Sequence, residues 1–185
     1  MTARVPDPAP RELRPSRFSH LVLQTPRFEE MVDFYKTWLS AKPMLENQMV
    51  CFLTYDDEHH RLMIGNNPGL NPRDPKAAGV VHFAYAVETL EDLVNYYLRL
   101  KSHGILPHQC MNHGFTTSIY YLDPDGNEVE IQIDNFKDKE SMNAWFATGA
   151  FDRNFVGFFF DPERMVELHR QGLPEDQILQ KELYQ

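Results

Sequence analysis

The chain has 185 residues, 42% hydrophobic and 24% charged, enough to bury a sizeable core as one compact domain or two small fused modules. A formal net charge of −9, with 18 scattered lysines and arginines, excludes a phosphate-backbone partner, so no nucleic acid is expected. No apolar run reaches the length of a membrane span, and the start, MTARVPDPAPRELRP, lacks the apolar core of a secretory signal. The expectation is a cytoplasmic protein with no membrane partner, whose Cys51 and Cys110 are reduced packing thiols rather than a disulfide framework.

Residues 1–16 hold four prolines and little apolar content, which predicts a flexible arm. From Phe18 the pattern changes: SHLVLQT reads as a strand, and Arg27 to Leu39 reads as a helix with Phe28, Met31, Val32, Phe34, Tyr35 and Leu39 near helical spacing. Aligning His20 with His82 exposes a repeat, because HLVLQTPRFEEMVDFY matches HFAYAVETLEDLVNYY position by position at an offset of 62 residues. The second halves correspond more loosely, each a strand, an acidic turn and another strand. The later copy carries the clearest hairpin. Ile119 to Leu122 is aromatic and β-branched, Asp123-Pro124-Asp125-Gly126 is turn chemistry, and Val129 to Ile133 resumes an alternating strand. On that strand Glu128, Glu130, Gln132 and Asp134 share one face and Val129, Ile131 and Ile133 the other.

The predicted organisation is therefore α+β. A flexible arm (1–16) precedes a first βαβββ module (17–65), a linker loop dense in Asn, Pro and Gly (66–78), a second βαβββ module (79–134) and a C-terminal helical extension (135–185). In the extension, Asp138 to Thr148 reads as a helix stopped by Gly149. Asp161 reads as an N-cap before Pro162, with Gly172 as the stop, and a third helix starts at Pro174. The aromatic run of Trp145, Phe146, Phe151, Phe155, Phe158, Phe159 and Phe160 reads as packing on the outside of the sheet or as a subunit contact rather than as a substrate box.

A lone strand histidine is ordinarily structural. His20 and His82 are related by the duplication, near the middles of the two copied strands, and Glu130 follows on a late strand of the second copy. Neutral imidazole and carboxylate oxygen are ligands for a divalent first-row metal. The corresponding stretch of the first copy, Arg61 to Gly65, offers neither, so three ligands would leave positions open for substrate, as in the facial triad of non-haem Fe(II) oxygenases.

His113, the pair Ile119-Tyr120, the turn Asp123-Pro124-Asp125-Gly126 and Glu130 follow in the order and at the spacing of a known signature, with Met111 a minor departure. Upstream, EHHRLMI places His60 before an alternating apolar pair. Over residues 17–134 the chain resembles the vicinal oxygen chelate superfamily, and within it the one-domain type I extradiol ring-cleaving dioxygenases. The resemblance implies two βαβββ modules forming a half-open barrel around the metal. It implies His60 as acid/base, with His59 its neighbour on the opposite face, and His113 and Tyr120 as hydrogen-bonding partners of the substrate oxygens. It implies Fe(II), with Mn(II) as the alternative, a catechol-type substrate and O₂, and a homo-oligomer is expected. The rivals are a glyoxalase-like isomerase or lyase with four protein ligands, a phenol or polyketide oxygenase, and a non-catalytic binding module. The loop from Gly65 to Ala78 and the segment from Phe136 onward, which have no counterpart in the repeat, are expected to set substrate choice.

Overall fold

The computed structural model describes residues 14–179, so the expected arm lies outside the described residues except at 14–16. The first copy runs β1 (Leu21–Thr25), α1 (Phe28–Trp38), β2 (Lys42–Glu46), β3 (Val50–Thr54) and β4 (Leu62–Asn66). The second runs β5 (His82–Ala86), α2 (Leu90–Ser102), β6 (Gln109–Asn112), β7 (Thr116–Leu122) and β8 (Glu128–Asp134). Each copy folds its strands into a sheet of the same order, β1-β4-β3-β2 and β5-β8-β7-β6, with the first strand parallel to the last and the remaining pairs antiparallel. Neither sheet closes into a barrel, which is the half-open α+β architecture expected.

The sheets take this form because one face of each is apolar and must be covered. Cys51, Leu53, Leu62 and Ile64 of the first sheet are fully buried, as are Met31, Val32, Tyr35 and Trp38 of α1, and all lie in one core cluster. In the second sheet Ile119, Tyr121, Val129, Ile131 and Ile133 join the same cluster with Leu93, Val94, Tyr97 and Leu100 of α2. Each such side chain contributes about 1.5–3 kcal/mol by leaving water. α2 begins where Thr89 accepts a hydrogen bond from the Asp92 amide, 3.1 Å, a cap worth about 1 kcal/mol. Cys51 and Cys110 are free and buried, as expected.

The two copies meet through aromatic and buried polar contacts. Trp38 lies against Tyr85, Tyr96 and Tyr121, with ring centroids 5.3–6.2 Å apart. The Tyr35 hydroxyl donates to Asp123 Oδ2 at 2.9 Å, and the Arg27 guanidinium donates to the Pro124 carbonyl. The β7–β8 turn is thus a joint as well as a hairpin. Gly126 supplies its positive φ of 80°, and Asp123 also accepts from the Asp125 and Asn127 amides.

The C-terminal extension differs from the expected all-helical one. Helices α3 (Lys139–Ala147), α4 (Ala150–Arg153), α5 (Pro162–Arg170) and α6 (Glu175–Ile178) are interrupted by β9 (Phe158–Phe159), which pairs with β6 and extends the second sheet. Asp161 caps α5 as the sequence predicts, and Asp138, expected as the first residue of its helix, caps α3. The two-residue β9 is too short for period-two alternation to reveal it; the unpaired edge of β6 creates it. Among the described residues no helix is long and apolar enough to cross a membrane.

Candidate metal centre and active site

Strand pairing sets the inner face of the second sheet. Tyr120 stands across from Glu130, Ser118 from Gln132, Ala84 from Glu130 and His82 from Glu128, so imidazole, carboxylates and phenol share one surface. His82 Nε2 lies 3.1 Å from Glu130 Oε2, and His82 Nδ1 lies 3.8 Å from Glu128 Oε1. Glu130 is 3% exposed, whereas the His82 side chain is 37% exposed and open to solvent. The Tyr120 hydroxyl is 2.9 Å from His113 Nε2, and its ring meets His82 edge-on at 5.5 Å. Burial, and then the Glu130 carboxylate, push the Tyr120 phenol above its ordinary value, so it stays protonated at neutral pH.

The other half of the expected constellation sits at the start of the first sheet. His20 precedes β1 by one residue and His82 opens β5, so both lie at strand ends rather than near strand middles, where the ladder begins with the Leu21 amide on the Arg61 carbonyl. The His20 ring stacks on His60 at 4.4 Å, and His60 stacks in turn on Phe52 at 4.6 Å. His59 does not point to the opposite face. Its Nδ1 is 2.6 Å from His60 Nδ1, and both rings lie beside His20, because residues 59 and 60 belong to the bend before β4, where strand alternation does not operate. Burial first, then His20 and His59, hold His60 below the ordinary histidine value, with Glu58 opposing.

The structure therefore assembles two clusters: His82, Glu130, Tyr120 and His113 on the second sheet, and His20, His59 and His60 at the edge of the first. Among the described residues no three His, Cys, Asp or Glu side chains converge on one point. A cleft of about 220 Å³ between the two copies is lined by Phe18, Leu21, Tyr55 and Arg61 of the first and Phe83, Ala84 and Tyr85 of the second, and by none of the three ligand candidates. The donor chemistry fits a divalent cation. An imidazole nitrogen and a carboxylate oxygen 3.1 Å apart share either a proton or a cation, and ligands at about 2.1 Å from one ion at right angles are separated by about 3 Å.

Sequence reasoning missed four features. Glu128 reaches the far nitrogen of His82, and Phe52 supports His60. Ser118, fully buried on the inner face, stands beside the Tyr120 phenol and opposes the upward push on it. The Val156 carbonyl lies 2.7 Å from His113 Nδ1. The first follows from period two once the register is known, whereas the second involves a histidine outside any strand; the last is a backbone group and leaves no residue-type signal. The aromatic run divides among several places. Trp145, Phe146 and Phe151 surround Phe115 in the loop beside His113, Phe160 is buried, and Phe155 and Phe159 are exposed.

Residues 17–131 match the model of the glyoxalase/bleomycin resistance protein/dioxygenase superfamily. The chain is similar to two curated proteins of Rhodococcus globerulus, biphenyl-2,3-diol 1,2-dioxygenase 2 and biphenyl-2,3-diol 1,2-dioxygenase 3. It is 47% identical to the former over 163 residues and 40% identical to the latter over 164, with 88% of this chain and 86% of the relative covered in each case. Among solved structures, a glyoxalase/dioxygenase from Nostoc punctiforme superposes with a TM-score of 0.55 at 18% identity, covering 68% of this chain and 98% of that one. A lactoylglutathione lyase from Agrobacterium tumefaciens gives 0.53 at 17%, covering 64% and 94%. These two likenesses speak to the fold.

Proposed function

The chain belongs to the glyoxalase/bleomycin resistance protein/dioxygenase superfamily, and on that premise we propose that it is an extradiol dioxygenase opening a catechol-type ring, with an aryl-substituted catechol as the substrate class. The observation that carries this reading is the inner face of the second sheet. There His82 meets Glu130 at 3.1 Å beside the Tyr120–His113 pair, in a chain 47% identical to a biphenyl-diol dioxygenase.

His82, Glu130 and His20 would hold the metal, Fe(II) with Mn(II) as the alternative, and Glu128 would orient His82 through its other nitrogen. Bound there, such an ion would supply open coordination positions for the two diol oxygens and O₂. Both oxygen atoms of O₂ enter the product and the ring carbon–carbon bond beside the diol breaks, with no net gain or loss of protons or electrons. The protein's task is then to move protons within the site. His60, whose Nδ1 is engaged with His59, has its Nε2 to take a diol proton and return it. Tyr120, hydrogen-bonded to His113, would meet a diol oxygen, with His113 standing behind it. Val22, Phe52 and Met63 give the first sheet an apolar inner face suited to the ring's substituent.

A glyoxalase-like isomerase would want a fourth protein ligand. Met63 stands across from Val22 as Glu130 stands across from Ala84, so the first copy offers a thioether where the second offers a carboxylate. The test is anaerobic loading of the purified protein with Fe(II), then O₂ uptake and a yellow ring-opened product across a panel of catechols that includes 2,3-dihydroxybiphenyl. O₂ uptake with none of them would overturn the reading.

A further inference from the structure

His113 is clamped from several sides by residues outside the two modules. Its Nδ1 lies 2.7 Å from the Val156 carbonyl oxygen, which can only accept, so the proton of the neutral ring resides on Nδ1. Nε2 is then a bare lone pair, and the Tyr120 hydroxyl 2.9 Å away donates to it. The Val156 carbonyl is placed by Gly157, whose φ of 96° suits glycine and whose missing Cβ would stand 2.3 Å from the Asn112 carbonyl oxygen and 2.8 Å from His113 Cα. Asn154 brackets Gly157, its Nδ2 donating to the Gly157 carbonyl and its Oδ1 accepting from the Gly157 amide, both at 3.0 Å. From the other side, Trp145 packs so closely on Gly114 that a Cβ there would meet its ring at 2.5 Å. Beneath the loop the buried Asn112 accepts from the Gly114 amide at 2.8 Å and donates to the Leu179 carbonyl at 2.8 Å.

We infer that residues 154–157 are a positioning device for the reaction: the Val156 carbonyl fixes His113 as the Nδ1–H tautomer, so that Tyr120 donates to His113 and turns its oxygen lone pairs, not its proton, toward the substrate. The hydrogen bonds then run in one direction, from diol hydroxyl to Tyr120 oxygen, from Tyr120 to His113 Nε2, and from His113 Nδ1 to Val156. The inference rests on the reading of Tyr120 as substrate-facing with His113 behind it, and gives the C-terminal segment a part in the chemistry and not only in substrate choice.

The test is two-bond proton–nitrogen correlation of the histidine rings in full-length protein loaded with diamagnetic Zn(II), with His113 assigned by its loss in His113→Asn. The expected result is a protonated Nδ1 and a bare Nε2; a proton on Nε2 overturns the inference while leaving the dioxygenase reading intact. In the iron-loaded enzyme Gly157→Ala should lower kcat about tenfold at nearly unchanged KM, the scale of a misplaced catalytic group, and should abolish the Nδ1–H signature. In a His113→Asn background it should lower kcat no further; an additive loss would mean the segment acts elsewhere. Should Gly157→Ala fail to fold, Asn154→Ala removes the bracket without adding atoms and should shift the ring signature in the same direction. Full activity of His113→Ala would overturn the inference together with the assignment of His113.

Discussion

The two copies share a backbone and differ on one face. Core-facing residues are apolar in both, Cys51, Leu53, Leu62 and Ile64 in one sheet and Ile119, Tyr121, Val129 and Ile131 in the other. The inner-facing positions have diverged completely. Val22, Met63 and Phe52 stand in register in the first sheet where Ala84, Glu130 and Tyr120 stand in the second. Packing density constrains the covered face and leaves the open one free to diverge, so a duplicated strand pattern can become an apolar wall in one copy and a polar one, bearing carboxylate and phenol, in the other. Only the strand-opening histidines, His20 and His82, remain alike on that side.

The strongest way to break this division is to erase the carboxylate. Glu130→Ala makes the second sheet as ligand-poor as the first, and bound metal and turnover should both be lost, turnover by roughly 10³-fold or more; metal analysis of the purified variant decides, and full occupancy would return Glu130 to an ordinary acidic strand face. The converse is Met63→Glu, which gives the first sheet the carboxylate it lacks. A fourth ligand would occupy a position needed by substrate, so metal should be retained or bound more tightly while turnover falls by roughly 10²-fold. Equal turnover in Met63→Glu would show that the inner faces do not converge on one ion.

Next in size comes the residue that stands opposite the ligand. Tyr120→Phe makes the second sheet read like the first, where Phe52 occupies the matching place, and His60→Gln removes the histidine that Phe52 supports. Both variants should keep metal and substrate binding and lose turnover by roughly 10²-fold, the scale of a positioned acid or base. Single-turnover kinetics would separate binding from chemistry.

Much of this comparison was readable in the sequence, because the repeat aligns His20 with His82 and period two puts Glu128, Glu130 and Gln132 on one face. The helix of the first copy, the acidic turn, the helix after Asp138 and the cap at Asp161 were legible for the same local reasons. The pairing of Met63 with Glu130's place was not, since it needs the strand register rather than the order of residues. Nor was β9, whose two residues carry no periodicity, or the place of His59, whose neighbours form a bend where a strand was expected. The grip of Val156 on His113 comes from a carbonyl that every residue possesses. The role of Asp123 was only half visible: its place in the turn is local, but its partner Tyr35 lies 88 residues away.

That partnership gives the smallest effect, and it tests whether the two copies stand or fall together. Asp123 is 4% exposed, and its carboxyl sits above the usual carboxylate range, chiefly through burial, with bonds from Asn127 and Tyr35 opposing the shift. A folded-state pKa raised above the unfolded one contributes stability that is full below the unfolded value and is lost as pH rises through the folded value. Tyr35→Phe removes a bond that favours the charged form, so the folded pKa rises further and the variant loses more on the same climb. Its deficit should therefore grow as pH rises through the folded value of Asp123, from about 1 kcal/mol below it, where the hydroxyl meets a neutral carboxyl, to about 1.5–3 kcal/mol above it, where the hydroxyl meets a charge. Denaturant unfolding on either side of that value reads this directly. A deficit that is flat with pH would mean that Tyr35 supports the joint only by packing, and a biphasic transition would mean that the first and second copies unfold separately.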